Sequence, residues 1–229
     1  MESPLKQRLD CTPPVRAVEV GRRSVVGRIN VHGRVLPFES TLECDFLRIM
    51  AFDQTLEAVY AQPVRLRYVD AEGRPRRYTP DFRVVPKDRA IPPTLFEIKY
   101  RKDLWLNWPA LKPRFRAAVR YARRTGQRFR LMTDVEIRGP HLENVVFLRQ
   151  YLDRRPDEGT EVQLLRTLAV LGEATPETLL AAAYWATENR VKALAPLWRL
   201  LALRRIEADL FSQLTMQTPI WLSSDGDVP

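Results

Sequence analysis

The sequence predicts an α/β protein in which a mixed β-sheet flanked by helices is followed by a small, mainly helical domain. Three observations support this fold class. Before residue 154, segments whose apolar residues have helical spacing alternate with segments that have strand spacing. After residue 160, three consecutive segments have helical spacing and only then do two have strand spacing. A polar linker separates the two patterns, and the excess positive charge lies before it. We therefore expect two domains, residues 1–155 and residues 156–229.

The first domain is predicted to contain a helix, three strands, a second helix and a further strand. Residues 1–38 alternate short apolar runs with glycines, which favours an N-terminal arm with a hairpin. Ser40 precedes an apolar stripe of helical spacing, so a helix is expected from about 41 to 51. The later elements are expected as strands at 64–69, 77–85, 94–100 and 128–132, a helix that contains residues 115–122 and ends at Gly126, and a closing helix at about 141–153.

The second domain is expected to be a winged helix. Three short helices are predicted at residues 162–171, 176–185 and 189–203. Two alternating segments follow, residues 204–210 and 214–221, and their pattern is typical of a two-stranded ribbon. Short helices followed by such a ribbon indicate a winged-helix domain.

The composition excludes several classes of protein. Of the 229 residues, 45% are hydrophobic and 28% are charged, which is typical of a folded globular chain. No stretch is apolar enough for a membrane span, and the first ten residues lack the apolar core of a secretion signal. Cys11 and Cys44 cannot make a disulfide framework, and His32 and His141 are too few for a zinc site. A reduced, cytoplasmic setting is expected.

The net charge of +9 is distributed unevenly along the chain. Residues 1–155 contain 31 basic and 18 acidic side chains, whereas residues 156–229 contain 6 and 10. A concentrated positive field favours phosphate-rich partners, because phosphates release counterions when lysine and arginine neutralise them. Nucleic acid is therefore a candidate partner of the first domain, although a merely basic surface would have the same composition.

Two acids and a lysine are predicted to meet at the sheet. Asp81 follows Pro80 on a hairpin strand, and Glu97 and Lys99 lie on the next strand, where residues two apart face the same side. If the strands pair, Asp81 and Glu97 converge on an oxygen-rich pocket that suits Mg²⁺. Lys99 could then orient the attacking water during phosphodiester hydrolysis. The alternative is a surface ion pair between strands.

Glu43 is a third candidate acid, with two interpretations that stay open. Ser40 and Glu43 have the spacing of a capping box, in which Glu43 would return a hydrogen bond to the backbone N–H of Ser40. Glu43 also flanks the apolar stripe of its helix, which contains Leu42, Phe46 and Leu47. It could therefore lean toward the sheet as a metal ligand.

The helix after the third strand has a basic face without acidic partners one turn away, so phosphate contact is favoured over a merely solvated face. Trp105 and Trp108 are expected in a loop, where they could pack, stack on bases or contact a partner. The face comprises Lys112, Arg114, Arg116, Arg120, Arg123 and Arg124, and all of these except Arg114 are our candidate DNA-binding residues.

Six short motifs occur in order between residue 38 and about residue 150. They are Phe38–Glu43, Phe52-Asp53, Gln62-Pro63, Tyr78–Asp81, Phe96–Lys99 and Thr133-Asp134. In order and spacing they resemble TnsA, the endonuclease subunit of heteromeric transposases. This resemblance is far more specific than the acid and lysine motif alone, and it extends weakly over the rest of the chain.

The resemblance implies a restriction-endonuclease-like domain whose metal site uses Glu43, Asp81 and Glu97, with Lys99 as the fourth catalytic residue. It further implies two Mg²⁺ ions and cleavage of the non-transferred strand at the 5′ ends of a transposon. TnsB, an integrase-like subunit, would cut and join the 3′ ends. The winged helix would contact the ATPase regulator TnsC. The excess of acidic residues in this domain suits a protein partner better than it suits DNA. Such a subunit would act on the bacterial nucleoid.

Two other functions stay open on the sequence alone. A stand-alone restriction or repair nuclease of the same fold would need its own means of recognising DNA, and the acidic second domain does not favour this. A winged-helix DNA-binding regulator with structural carboxylates would place its DNA affinity in residues 160–221, and the charge distribution opposes this function.

Overall fold

The computed structural model describes residues 25–223, so residues 1–24 of the predicted arm lie outside the described residues. The chain forms two compact units that divide between Val135 and Glu136. From the sequence, this boundary is expected after residue 155. The difference arises because the helix around residue 145 packs with the later helices: Phe147 meets Trp198 edge to face, with ring centroids 5.3 Å apart.

The first unit begins with a hairpin and a helix and continues with a sheet and a long helix. Its strands are β1 (Gly27–Val31), β2 (Arg34–Phe38), β3 (Leu56–Ala61), β4 (Leu66–Val69), β5 (Pro75–Tyr78), β6 (Phe82–Pro86), β7 (Thr94–Ile98) and β8 (Arg128–Met132). Its helices are α1 (Thr41–Phe52) and α2 (Arg101–Arg124), and the short α3 (Asp134–Ile137) follows β8. The hairpin predicted in the arm is confirmed, because β1 and β2 pair antiparallel across a turn at His32 and Gly33.

A four-stranded mixed sheet forms the centre of the first unit, in the order β3-β6-β7-β8. Strand β6 runs antiparallel to β3 and to β7, whereas β8 runs parallel to β7. Strands β4 and β5 form a separate hairpin. The predicted mixed sheet with flanking helices is therefore confirmed, and it is consistent with a restriction-endonuclease-like fold.

Two strands differ from the prediction. Strand β3 is not predicted from the sequence, and its pairing with β6 has a register irregularity between Leu56 and Ala58 that departs from strict alternation. The single strand expected at residues 77–85 is divided into β5 and β6. Pro80 lies between them and has no backbone N–H for a ladder hydrogen bond, and Asp81 occupies a bend.

The helices are held to the strands by aromatic side chains. On α1, Phe46 stacks on Phe82 of β6 and contacts Phe96 of β7, with ring centroids 5.4 and 5.1 Å apart. On α2, Phe115 belongs to a buried cluster that includes Tyr78 of β5 and has Phe129 of β8 packed against it. The ends of β5, β6 and β7 are therefore fixed by burial of large apolar surfaces.

Helix α2 begins at Arg101, well before the apolar repeat from which it is predicted. Trp105 and Trp108 therefore lie on a helix and not in a loop, which corrects the sequence analysis. The prediction fails because Pro109 and Pro113 lie inside the helix, where proline normally ends or kinks it. Within residues 25–223, no helix has both the length and the hydropathy needed to cross a bilayer.

The second unit contains four helices and three short strands among its described residues. The helices are α4 (Pro140–Arg149), α5 (Glu158–Leu171), α6 (Pro176–Ala183) and α7 (Thr187–Ala202), and the strands are β9 (Glu173–Ala174), β10 (Ile206–Ala208) and β11 (Ile220–Leu222). Strand β11 pairs antiparallel with both β10 and β9. The three predicted helices are confirmed within a few residues.

Both ribbon strands are shorter than predicted, since β10 covers only Ile206–Ala208 and β11 only Ile220–Leu222. Residues 214–219, expected to be extended, form a turn-rich segment before β11. The buried amide of Asn144 on α4 holds this region, because its Nδ2 donates to the carbonyl of Ser212 and its Oδ1 accepts from the N–H of Leu214. The alternating pattern of residues 214–219 therefore does not correspond to strand pairing.

Candidate active site

Asp81 lies at the point where three neighbouring strands meet. It immediately precedes β6, whose partners β3 and β7 end beside it. Its backbone carbonyl accepts a 2.7 Å hydrogen bond from the N–H of Gln62, and its Oδ2 accepts a 2.7 Å hydrogen bond from the N–H of Ile98. The Asp81 carboxylate is thus anchored to the backbone of one neighbouring strand while its own backbone is anchored to the other.

Glu97 is the most buried of the predicted site residues, with 2% of its side chain exposed. The Tyr78 hydroxyl donates to its Oε2 at 2.7 Å, and the Arg114 guanidinium donates to its Oε1 at 3.3 Å. Burial and the Glu97 carboxylate raise the pKa of Tyr78, so the phenol remains a donor. Both oxygens of Glu97 therefore have partners.

Lys99 lies between the two acids. Its Nζ is 3.3 Å from Oε1 of Glu97 and 4.0 Å from Oδ2 of Asp81, and it donates to the carbonyl of Ile98 at 3.1 Å. Burial lowers the pKa of Lys99, but the two carboxylates together outweigh burial, so its pKa is raised. The predicted convergence of an acid pair and a lysine is present in the structure, and the lysine carries its charge at neutral pH.

Glu43 occupies the third position of α1 and takes part in the cap at the start of that helix. Its backbone N–H donates to Ser40 Oγ, as in a capping box. Its carboxylate accepts from the N–H of Glu39 at 2.8 Å and from the Ser40 hydroxyl, and not from the N–H of Ser40 as expected. Burial, with a contribution from the Asp81 carboxylate, raises the pKa of Glu43 to about 7.

Glu43 and Asp81 face one small cavity of about 70 Å³, which we call the acid cavity. Burial and the neighbouring Glu97 carboxylate raise the pKa of Asp81, as expected where acids crowd together. The residues that line the acid cavity are Pro37, Glu39, Glu43, Ala61, Gln62, Thr79, Asp81 and Phe82. The acid cavity thus brings together two of the three predicted metal ligands, while Glu97 is paired with Arg114 and Lys99 beside it.

The acid cavity fits a cation that takes few protein ligands. Among residues 25–223, no group of three His, Cys, Asp or Glu side chains is close enough to hold a metal ion alone. Mg²⁺ typically binds one or two carboxylates and completes its shell with water and phosphate oxygens. Glu43 and Asp81 match that requirement, and Gln62 adds a buried amide oxygen that lacks a hydrogen-bond partner.

Sequence reasoning missed three residues of this site. Tyr78 and Gln62 stand inside motifs that carry the resemblance, but nothing in their spacing indicates their contacts. Arg114 was grouped with the basic face of α2, yet it is half-buried and its guanidinium lies over the Tyr78 ring at 5.3 Å. Arg114 lies three and four residues before buried Ala117 and Ala118, and this helical phase is the signal that separates it from the rest of the basic face.

The five candidate DNA-binding residues lie at exposed positions on α2. Within the described part of the chain, none of them forms an ion pair. Lys112, Arg116 and Arg120 border a groove of about 480 Å³ that Trp108 and Phe115 also line. The face is therefore available to an anionic partner, and its contact with DNA stays a prediction.

Residues 53–134 match the family model for the N-terminal domain of TnsA-like endonucleases. The matched segment contains Asp81, Glu97 and Lys99 and begins after Glu43. This confirms the resemblance to TnsA for that segment. No curated protein gives a significant match to the chain.

Proposed function

We propose that this protein, which has a TnsA-like endonuclease N-terminal domain at residues 53–134, is the DNA endonuclease subunit of a heteromeric cut-and-paste transposase. It would hydrolyse phosphodiester bonds of the non-transferred strand at the 5′ ends of the transposon. One observation carries the proposal: Asp81, Glu97 and Lys99 meet at the end of the sheet, inside the matched segment.

Magnesium is the cofactor that the donor set favours, and the family resemblance suggests two ions. When bound, Mg²⁺ would polarise the scissile phosphate and offset the negative charge that develops on it. Glu43 and Asp81 would hold it from the acid cavity. Glu97 is the proposed third ligand, since a carboxylate oxygen that accepts from Tyr78 or Arg114 retains a further lone pair.

Lys99 acts in this proposal as a cation and hydrogen-bond donor, and not as a base. Its raised pKa keeps the ammonium protonated at neutral pH. A fixed positive charge next to the acids would orient the attacking water and stabilise negative charge on the phosphate. Glu97 would hold Lys99 in place through their 3.3 Å contact.

The charge distribution supports DNA binding by the first unit. Residues 1–135 contain 27 basic and 15 acidic side chains, whereas residues 136–229 contain 10 and 13. The asymmetry therefore persists when the observed boundary replaces the predicted one. The basic face of α2 is the proposed phosphate-binding surface: Lys112, Arg116, Arg120, Arg123 and Arg124.

The second unit is proposed to be a winged helix that binds a protein partner. Its order α5-β9-α6-α7-β10-β11 and its antiparallel three-stranded sheet support this fold. Its net negative charge disfavours a DNA groove. The proposed partners are an integrase-type transposase that processes the 3′ ends and an ATPase regulator bound by this unit.

The proposal is tested by strand-resolved cleavage of transposon-end DNA in Mg²⁺ by the full chain with its cognate transposase and regulator. Asp81→Ala should lose the 5′-strand cuts and retain 3′ joining. Asp88→Ala is the matched control, because Asp88 lies in the loop between β6 and β7 away from the acid cavity. If Asp81→Ala still cuts the 5′ strand, the assignment of Asp81 to the active site is wrong. If the wild-type protein never cuts, the proposed nuclease function is wrong.

A further inference from the structure

Gln62 has a buried amide oxygen with no hydrogen-bond partner, at the edge of the acid cavity. The residue follows β3 directly, and its N–H donates to the backbone carbonyl of Asp81 at 2.7 Å. An unsatisfied buried polar group costs about 1–3 kcal/mol, so its retention requires a physical reason. A ligand in the acid cavity that donates a hydrogen bond to this oxygen, or a cation that this oxygen coordinates, would supply that reason.

The orientation of the amide is fixed by Glu39. Nε2 of Gln62 donates to Oε1 of Glu39 at 3.0 Å. A carboxylate accepts hydrogen bonds but does not donate them, so the amide nitrogen and not the oxygen must face Glu39. The carbonyl oxygen of Gln62 is therefore the end of the side chain that is left for another partner.

The backbone of Gln62 is strained. Its φ is +46°, a conformation that residues other than glycine rarely adopt. Pro63 follows and narrows the conformations open to Gln62 further. Such strain costs on the order of 1–3 kcal/mol and is concentrated at functional sites. Glycine would relieve the strain but would lack the amide.

We infer that the side-chain oxygen of Gln62 is a ligand of the divalent cation at the acid cavity, beside Glu43 and Asp81. This inference rests on the proposed function, because it concerns the same cation site. Side-chain amide oxygens are hard donors like carboxylates. An uncharged donor also completes a ligand set without adding a further negative charge beside the Glu43 and Asp81 carboxylates.

The test measures binding of Mn²⁺ alone to the full chain by isothermal titration calorimetry. Gln62→Met keeps the length of the side chain and removes the amide oxygen. Gln127→Met is the matched control, because Oε1 of Gln127 is likewise buried without a partner and its Nε2 donates to Thr125. Gln127 lies just before β8, whose first residue pairs with Thr94 at the start of β7. Glu97 lies near the other end of β7, so Gln127 is remote from the acid cavity.

We expect Gln62→Met to weaken Mn²⁺ binding roughly tenfold and Gln127→Met to leave it unchanged. Gln62→Gly separates the ligand role from a structural one. Glycine accepts the positive φ, so this variant should unfold at the same or a higher temperature while it binds Mn²⁺ as weakly as Gln62→Met. A Gln62→Gly variant with wild-type Mn²⁺ affinity would overturn the inference.

The inference and the proposed function fail in different ways. If Mn²⁺ binding is lost in Asp81→Ala but unchanged in Gln62→Met, the inference alone is wrong. The same holds if Gln62→Met slows cleavage at unchanged Mn²⁺ affinity, since Gln62 would then act on DNA or water. If the wild-type chain binds no Mn²⁺, the proposed cation site and the inference are both overturned.

Discussion

The hydroxyl of Tyr78 donates a 2.7 Å hydrogen bond to Oε2 of the buried Glu97 carboxylate. Tyr78→Phe keeps the ring against Phe115 and removes this donor. We expect the variant to lose about 1–3 kcal/mol of unfolding free energy, because the carboxylate has little access to water as a replacement. Urea denaturation measures the loss. Tyr68→Phe on the nearby β4 is the control, and an equal loss there would contradict the assigned bond.

Arg114 and Arg116 are two residues apart on α2 but have different environments. Arg114 is half-buried against Glu97, whereas Arg116 is exposed beside the groove that contains Trp108. Removing one partner of a buried ion pair costs about 3–5 kcal/mol, and Lys99 remains to reduce that cost. We expect Arg114→Met to destabilise by about 2–3 kcal/mol and Arg116→Met by less than about 0.5 kcal/mol. Chemical denaturation giving the reverse order would be inconsistent with the site.

Glu43 predicts a pH dependence of stability in the absence of metal. Its pKa is about 7 in the folded chain against a reference value of 4.5, so the folded state holds more protons between these values. Stability contributed by protonated Glu43 is therefore present below about pH 4.5 and is lost as pH rises through 7. The loss amounts to at most about 3 kcal/mol.

Glu43→Gln should remove this dependence. In EDTA the variant should be more stable than the wild type at pH 8, and the difference should shrink toward pH 5. Unfolding by urea at the two pH values measures it, with Glu57→Gln on β3 as the control. A wild-type chain that gains stability from pH 5 to pH 8 relative to Glu43→Gln would contradict the raised pKa.

The basic face of α2 predicts a salt effect on DNA binding. Arg116→Gln combined with Arg120→Gln should weaken binding and should lower the slope of log affinity against log salt by about 1 for each lost phosphate contact. Fluorescence anisotropy over a salt series provides the slope. Lys192→Gln in the second unit should leave the slope unchanged. An unaltered slope in the double variant would assign the face to a partner other than DNA.

The candidate catalytic group was predictable because strand geometry is a short-range property. Period-two alternation is enough to place Glu97 and Lys99 on one face, and the pairing of β6 with β7 then brings Asp81 beside them. Ser40 likewise predicts the start of α1 through its own cap. The face of Glu97 and Lys99 and the start of α1 are each predicted by residues within a few positions of them, and only the hairpin pairing of β6 with β7 spans a longer stretch.

The features of the fold and of the candidate site that the sequence does not predict depend on contacts between residues far apart in the chain. The amide of Gln62 is oriented by Glu39, 23 positions earlier. Helix α2 runs through Pro109 and Pro113 because its buried face packs against β4, β5 and β8, which outweighs two missing backbone hydrogen bonds. The unit boundary lies before α4 because the packing partners of that helix lie about 50 residues later, as Phe147 and Trp198 illustrate.

The most direct test of the account is to locate the cation. Crystals of the full chain soaked in Mn²⁺ and measured near the manganese absorption edge would place it by anomalous scattering. We predict a peak in the acid cavity between Glu43 and Asp81, and its loss in Asp81→Asn. A wild-type map with no peak there, or with Mn²⁺ bound only elsewhere, would contradict the proposed metal-dependent nuclease site.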